Sequence, residues 1–396
     1  MRSFPLLVCA ASAVSAVAFA CGSTSVPTEE PTPSSTSTST TGPSGTSSTP
    51  TSRPDGPSDA APRDANMSDA TSADASDASP VDAAVDAASA VVGASCKTPG
   101  PAGTPRALPL PLYMGSCPTI AAAPAYTELT SSGATRRFLV YKPTTAVAGE
   151  VLPVVFLWHW LGGSPEDVVT KLSVQAAVDL RRFVAVIPAP KGDALFRWPF
   201  EATQSQGRVD EEAAFFDDML ACVGKALPVE KECVSSVGVS AGALWTSQLA
   251  TVRSQRLSSI VSLSGGVGDV VRPWTQTPHR LPALVLWGGA TDSYPSQVPI
   301  MNFDRASKKL ESSLATDGHF MVECIHNCGH AVPPFDPPPA GALQFDAVWR
   351  FVLDHPYWLG AGQSPYATQA LPAGFPSWCG KGQGSATARP AGSACN

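Results

Sequence analysis

From residue 96 onward, short uninterrupted apolar runs alternate with longer stretches whose apolar positions recur every three or four residues. The runs Leu152–Trp158, Phe183–Ile187, Cys233–Val237, Ser259–Leu263 and Pro282–Trp287 are rich in Val, Leu, Ile or Phe and end at Gly, Pro or Ser. Such runs predict strands covered on both faces. Arg137–Lys142 and His319–Ile325 read as strands on the same grounds. The helical period predicts helices over Ser164–Leu180, Asp210–Leu227, Ala241–Val252, Met301–Leu314 and Ala342–Leu353. Ser164, followed by Glu166 and Asp167, has the chemistry of a helix start, with acids at the positive end of the helix. Alternating strands and helices predict an α/β fold, a mostly parallel sheet with helices on both faces.

The first 95 residues follow neither pattern. Residues 1–21 are apolar apart from Arg2 and a few small polar residues, and Phe4–Phe19 is too short for a comfortable membrane span. This is the pattern of an export signal. Ala18-Phe19-Ala20-Cys21 has the form of a bacterial lipobox, which makes Cys21 the expected lipidated first residue of the mature chain. Cleavage after Ala20 as an ordinary signal is the alternative. Residues 22–95 are Ser, Thr, Pro, Ala and Asp with no aromatic residue, too little apolar surface to offset chain ordering. They read as a disordered tether, and residues 96–396 as one catalytic-sized domain containing all nine Trp.

Charge changes the picture once it is divided by region. The formal net charge is −7, but residues 96–396 hold 23 basic and 23 acidic side chains. The domain therefore carries no basic surplus for nucleic acid, and its only expected membrane contact is the lipid at Cys21. A monomer is expected. Eight cysteines fall in the domain, an even number that suggests disulfides in an exported chain. Sequence leaves the pairing open; nearest-neighbour pairing gives Cys96–Cys117, Cys222–Cys233, Cys324–Cys328 and Cys379–Cys395.

The chemistry centres on Gly238-Val239-Ser240-Ala241-Gly242, placed between a predicted strand and a predicted helix. That context sets a serine hydroxyl at a sheet edge beside a helix N-terminus. A serine needs a base, and of six histidines His330 lies in the loop after the strand ending near Ile325. His326 is the rival, closer to the strand and suited to packing. Asp292 follows the strand through Trp287 and is the expected acid, with Asp269 and Asp304 as alternatives. Backbone N–H groups of Ala241 and of Leu161, in the turn after Leu152–Trp158, are the candidate oxyanion donors. Trp160, Trp198, Trp274 and Tyr294 are candidate substrate contacts near strand ends; any one of them read alone is more simply core. Cys324, His326, Cys328 and His330 stand at every second position, so on a strand they would alternate faces and not converge on a metal. No cofactor or metal is expected.

These segments resemble the extracellular α/β-hydrolase esterases of the feruloyl esterase, acetyl xylan esterase and polyhydroxybutyrate depolymerase-like group. The resemblance runs from Arg136 to His355 through Arg137-Phe138-Leu139-Val140-Tyr141-Lys142-Pro143, His159-Trp160-Leu161-Gly162-Gly163, Trp198-Pro199 and Phe215-Phe216-Asp217-Asp218-Met219-Leu220. It continues through the Ser240 turn, Gly288-Gly289-Ala290-Thr291-Asp292 and Cys328-Gly329-His330-Ala331-Val332-Pro333. It implies an α/β-hydrolase fold and a serine esterase with Ser240, Asp292 and His330 as nucleophile, acid and base; the export signal and lipobox add the expectation of a place at a bacterial outer membrane or cell surface, or outside the cell. Trp160 stands where the family usually has Gly, a departure that bears on donor geometry and pocket shape. A peptidase on the same scaffold, or a tethered binding protein without catalysis, are the competing readings.

Overall fold

The computed structural model describes residues 94–193, 196–296, 300–335 and 343–395. Residues 1–93, which hold the expected export signal, Cys21 and all but the last two residues of the expected tether 22–95, lie outside the described residues. Ala94 forms a small buried cluster with Trp358 and Leu359.

Nine strands form one sheet among the described residues, in the order β1-β2-β4-β3-β5-β6-β7-β10-β11. They are β1 Thr127–Ser131, β2 Ala134–Tyr141, β3 Leu152–Trp158, β4 Val184–Pro188, β5 Val229–Val239, β6 Ser259–Leu263, β7 Ala283–Trp287, β10 Met321–Ile325 and β11 Cys379–Lys381. A two-stranded hairpin, β8 Ser293–Tyr294 and β9 Met301–Asn302, stands apart. The six strands from β4 to β10 run parallel, while β1, β2 and β11 close the two edges antiparallel. The parallel strands are the apolar runs of the sequence, and every residue of β3, β4, β6 and β7 is buried. Side chains alternate across the sheet: Val154, Phe156 and Trp158 enter one core, Val155 and Leu157 the other.

Six helices cover the two faces among the described residues: α1 Pro165–Lys171, α2 Val174–Arg181, α3 Gln206–Ala226, α4 Ala241–Arg253, α5 Phe303–Asp317 and α6 Asp346–Leu353. Apolar residues of α3, α4 and α5 share the first core; those of α1, α2 and α6 share the second. The expected helix Ser164–Leu180 is two helices. Ser173 sits at φ 50°, a left-handed conformation that breaks the helical ladder after Leu172. The start at Ser164 has the expected form, with a reciprocal cap between Ser164 and Asp167. No described helix is long and apolar enough to cross a membrane.

All eight domain cysteines are paired, and none as nearest-neighbour pairing gives. The bonds are Cys96–Cys233, Cys117–Cys222, Cys324–Cys379 and Cys328–Cys395. The sheet decides this. Cys324 and Cys379 are opposed on neighbouring antiparallel strands, across 55 residues of sequence. Loops of 105 and 137 residues tie the N-terminal segment to α3 and β5. Four such bonds fit an oxidising compartment.

The C-terminal arm after β11 clamps the end of β10. Arg389 donates its backbone N–H to the Ile325 carbonyl at 3.0 Å, and its guanidinium reaches the His326 carbonyl at 3.3 Å. Beneath the sheet, Glu311 of α5 and Glu323 of β10 face one another, 1% and 4% exposed. Burial, then the neighbouring Glu323 carboxylate, pushes the Glu311 carboxyl up to about 9, so it keeps its proton at neutral pH.

Candidate active site

The chain order doubles back at β3. β4 lies on one side of it and β5 on the other, so the crevice of the sheet opens at the carboxyl ends of β3 and β5. Four loops leaving the sheet at that end carry the candidate residues.

Ser240 stands between β5 and α4 at φ 53° and ψ −118°, a conformation a side-chain-bearing residue rarely takes. Its backbone N–H is fixed to the Leu263 carbonyl at 2.8 Å. The turn closes only because its flanking residues lack side chains. A Cβ on Gly238 would lie 2.1 Å from the Gly242 oxygen, and one on Gly242 would lie 2.1 Å from the Trp158 oxygen. This close approach brings the exit of β3 against the first turn of α4. Ala241, as the first residue of the helix, has no intrahelical acceptor for its N–H.

His330 reaches Ser240 from the loop after β10. Its Nε2 is 2.9 Å from Ser240 Oγ and its Nδ1 is 2.7 Å from Asp292 Oδ1. Asp292 is fully buried, and its other oxygen accepts 2.7 Å hydrogen bonds from Ser264 Oγ and the Gly288 N–H. With three donors aimed at it, the carboxylate cannot rotate away from the imidazole. Phe303 stacks on His330 with ring centroids 4.3 Å apart and planes 9° from parallel. The ring is thus fixed by an acid on one edge, a serine on the other and an aromatic face.

The rivals are occupied elsewhere. His326 is fully buried, accepts the Cys328 N–H at Nδ1 and is pushed down to about 4 by burial. Asp269 pairs with Lys309 and Arg305. Asp304 accepts from Trp287 Nε1 at 3.0 Å and pairs with Lys308. Cys324 and Cys328 are in disulfides, which removes two ligands from the alternating Cys/His run.

No family model matches the chain, and no curated protein matches it. Solved structures do. The native structure of a protein called pOPH is 16% identical, with a TM-score of 0.52 over 70% of this chain and 99% of that chain. That of sOPH is 15% identical, with a TM-score of 0.51 over 72% of this chain and 98% of that one. A ferulic acid esterase aligns at a TM-score of 0.43 and 12% identity, over 58% of this chain and 96% of that chain. The chain has the α/β-hydrolase fold. At these identities the likeness carries the fold alone.

On this α/β-hydrolase fold a cavity of about 350 Å³ opens beside Ser240. Trp160, Leu161, Leu172, Tyr294, Val332 and Phe345 give it apolar walls, with Ser240, Ser264, His330 and Lys171 as polar members. Two of the four candidate substrate contacts, Trp160 and Tyr294, therefore stand at the site. The other two do not. Trp198 is fully buried, stacked edge-on to Trp158 at 5.0 Å, with its Nε1 donating to the His159 carbonyl at 2.8 Å. Trp274 donates to Asp317 at 2.7 Å and packs on His319, away from the cavity lining. Both rings spend their one polar atom inside the protein. Ser264 and Phe303 were not among the sequence candidates. Ser264 had a visible signal, a Ser-Gly-Gly exit directly after β6; Phe303 had none, because its contact with His330 depends on the hairpin β8–β9.

Proposed function

We propose that this chain is a secreted serine esterase that works through an acyl-enzyme on Ser240. The observation that carries the reading is the continuous hydrogen-bonded series from Ser240 through His330 to the buried Asp292. Ser240 Oγ attacks the ester carbonyl carbon while His330 Nε2 takes its proton. The oxygen that gains negative charge faces the N–H groups of Leu161 and Ala241. Collapse expels the alcohol, to which His330 returns the proton, leaving acyl-Ser240. Water then attacks with His330 again as base and releases the carboxylic acid. Asp292 holds the imidazole tautomer and offsets its transient charge throughout.

The apolar cavity favours small or aromatic acyl groups, which agrees with the resemblance to enzymes acting on plant-wall and polyester substrates. An ester also suits the site better than an amide, since its alkoxide leaves with less need of a proton. A binding module without catalysis has no use for a strained, buried serine. Export, with lipid on Cys21 and residues 22–95 as a tether, belongs to the same proposal and rests on the sequence pattern alone.

Purified protein is expected to hydrolyse acetyl, feruloyl or hydroxybutyrate esters far faster than matched amides. It is also expected to take up one equivalent of a fluorophosphonate, and Ser240→Ala to abolish both. Turnover undiminished in Ser240→Ala would end the triad assignment, and equal kcat/KM on amides would replace esterase by peptidase. Cys21→Ser is expected to release the protein from membranes; persistent association would remove the anchor.

A further inference from the structure

Lys171 is the last residue of α1, and it lines the cavity beside Ser240. It stands there because the helix stops. Leu172 caps α1, and the left-handed Ser173 turns the chain into α2, so Lys171 and Leu172 at the break both enter the cavity wall. Leu172 is 5% exposed while Lys171 is an exposed residue. This is the arrangement of a long cation that keeps its head in water at the mouth of an apolar cavity.

Two carboxylates of the same helix are placed to neutralise it, and both are engaged elsewhere. Asp167 lies four residues earlier, at the spacing that brings side chains together on a helix. Its Oδ2 turns back on the helix start, accepting from the Ser164 N–H at 2.9 Å and from Ser164 Oγ at 3.0 Å. Glu166 Oε1 accepts the Tyr126 hydroxyl at 2.6 Å. Among the described residues Lys171 has no ion-pair partner, whereas Lys191, Lys231, Lys308 and Lys309 each have one. No Asp or Glu stands among the described residues lining the cavity, and Asp292 is fully buried behind His330. An anionic group in the cavity therefore meets an unpaired ammonium and no carboxylate. The domain as a whole holds 23 basic and 23 acidic side chains, so no long-range field draws anions to it and a preference for charge has to be local.

We propose that Lys171 is a specificity-determining residue that recruits esters carrying a free carboxylate away from the scissile bond. This rests on the esterase reading above and names a substrate class within it. The need for a cation arises in the reaction itself. Attack by Ser240 makes the carbonyl oxygen negative, so an ester that already bears a carboxylate brings a second negative charge into an apolar cavity. The ammonium of Lys171 offsets that second charge, and Leu172, Val332 and Phe345 cover the apolar spacer between carboxylate and ester.

The carboxylate can sit on the acyl side, as in a half-ester of a dicarboxylic acid, or on the alcohol side, as in an acylated hydroxy acid. The full chain and its variants K171M, K171R and K171E are assayed on matched pairs of esters, one member charged and the other with an isopropyl group in place of the carboxylate. The acyl arm uses the para-nitrophenyl half-ester of adipic acid and its isopropyl counterpart; the alcohol arm uses para-carboxyphenyl acetate and para-isopropylphenyl acetate. The readout is the ratio of kcat/KM on the charged ester to that on the neutral one, in which any effect of the substitution on Ser240 or on the folded fraction divides out. K171M is expected to lower that ratio about 5- to 30-fold in at least one arm, chiefly through KM, between the strength of an exposed ion pair and that of a desolvated one. K171R is expected to keep the ratio within about threefold, and K171E to lower it further than K171M. Added salt is expected to lower the wild-type ratio and leave that of K171M flat. The arm that responds names the side that carries the carboxylate. Equal ratios for wild type and K171M in both arms, with the neutral esters turned over, would overturn the inference and leave the esterase reading intact. If K171M fails to fold, the contrast between K171R and K171E decides, and equal ratios for those two overturn it. Absence of ester turnover and of Ser240 labelling in the unaltered chain would overturn the esterase reading itself, and this inference with it.

Discussion

Ser240 is held at positive φ by neighbours that cannot themselves be changed, and His330 is held by an acid, a hydroxyl and an aromatic face. The two histidines near the end of β10 separate cleanly at this scale. His330 reaches the serine; His326 is sealed in the core and stays neutral down to about pH 4 because burial disfavours its charged form. His330→Ala is therefore expected to cut kcat/KM by about 10³-fold or more, the scale on which triad members act. His326→Ala is expected to lower stability and leave kcat within a few fold. Steady-state kinetics on both variants decides, and the reverse ranking would give the base role to His326. Asp292, Ser240 and His330 were all legible in sequence because each follows an apolar strand whose end could be read from its neighbours. Trp198 and Trp274 were misread for a related reason. Proximity to a strand end does not say which way an indole points, and both turn inward to use their N–H.

At the scale of elements, the fully buried parallel strands were plain because burial on both faces leaves unbroken apolar runs. The edge strands β1 and β11 and the hairpin β8–β9 were missed. Their residues mix polar and apolar over only two to five positions, and β11 moreover finds its partner β10 through distant chain. The disulfides failed for the same cause: Cys324 meets Cys379 through a sheet edge that no local pattern announces. The loops carrying acid and base touch at glycine. A Cβ on Gly288 would lie 1.8 Å from the Gly329 oxygen, backbone against backbone with nothing flexible to yield. Gly288→Ala is expected to push the His330 loop off the end of β7, and to break the Gly288 N–H bond to Asp292. A loss of about 1–3 kcal/mol in denaturant unfolding and a fall in kcat of at least tenfold are expected. Unchanged kcat would show that the loop tolerates the displacement.

For the whole molecule, the proton on Glu311 ties stability to pH. Its carboxyl faces Glu323, with Lys308 and Asp304 as further charged neighbours on α5. The folded state holds that proton up to about pH 9, whereas the unfolded chain gives it up near the ordinary carboxyl value. The folded state therefore binds more protons across that window, and stability falls as pH rises through it. Above about pH 9 both states are ionised and this contribution stops changing. Glu311→Gln keeps the shape and removes the titration. Its melting temperature is expected to decline less than the wild type's between about pH 5 and about pH 9. Parallel melting curves for the two proteins would assign the slope to other groups.

The bond between Cys328 and Cys395 lies two residues from the base and fastens the very end of the C-terminal arm to the His330 loop. Cys395 is exposed, so the bond is open to reductants. With this bond reduced, the arm is left to its hydrogen bonds from Arg389 to the end of β10, and the His330 loop loses a covalent tie. Under the proposed function, activity is therefore expected to depend on this bond. Graded dithiothreitol is expected to slow fluorophosphonate labelling of Ser240 before the melting transition shifts, and Cys395→Ser to label slowly under all redox conditions. Full labelling of the reduced protein would show that the arm is ornamental to the site.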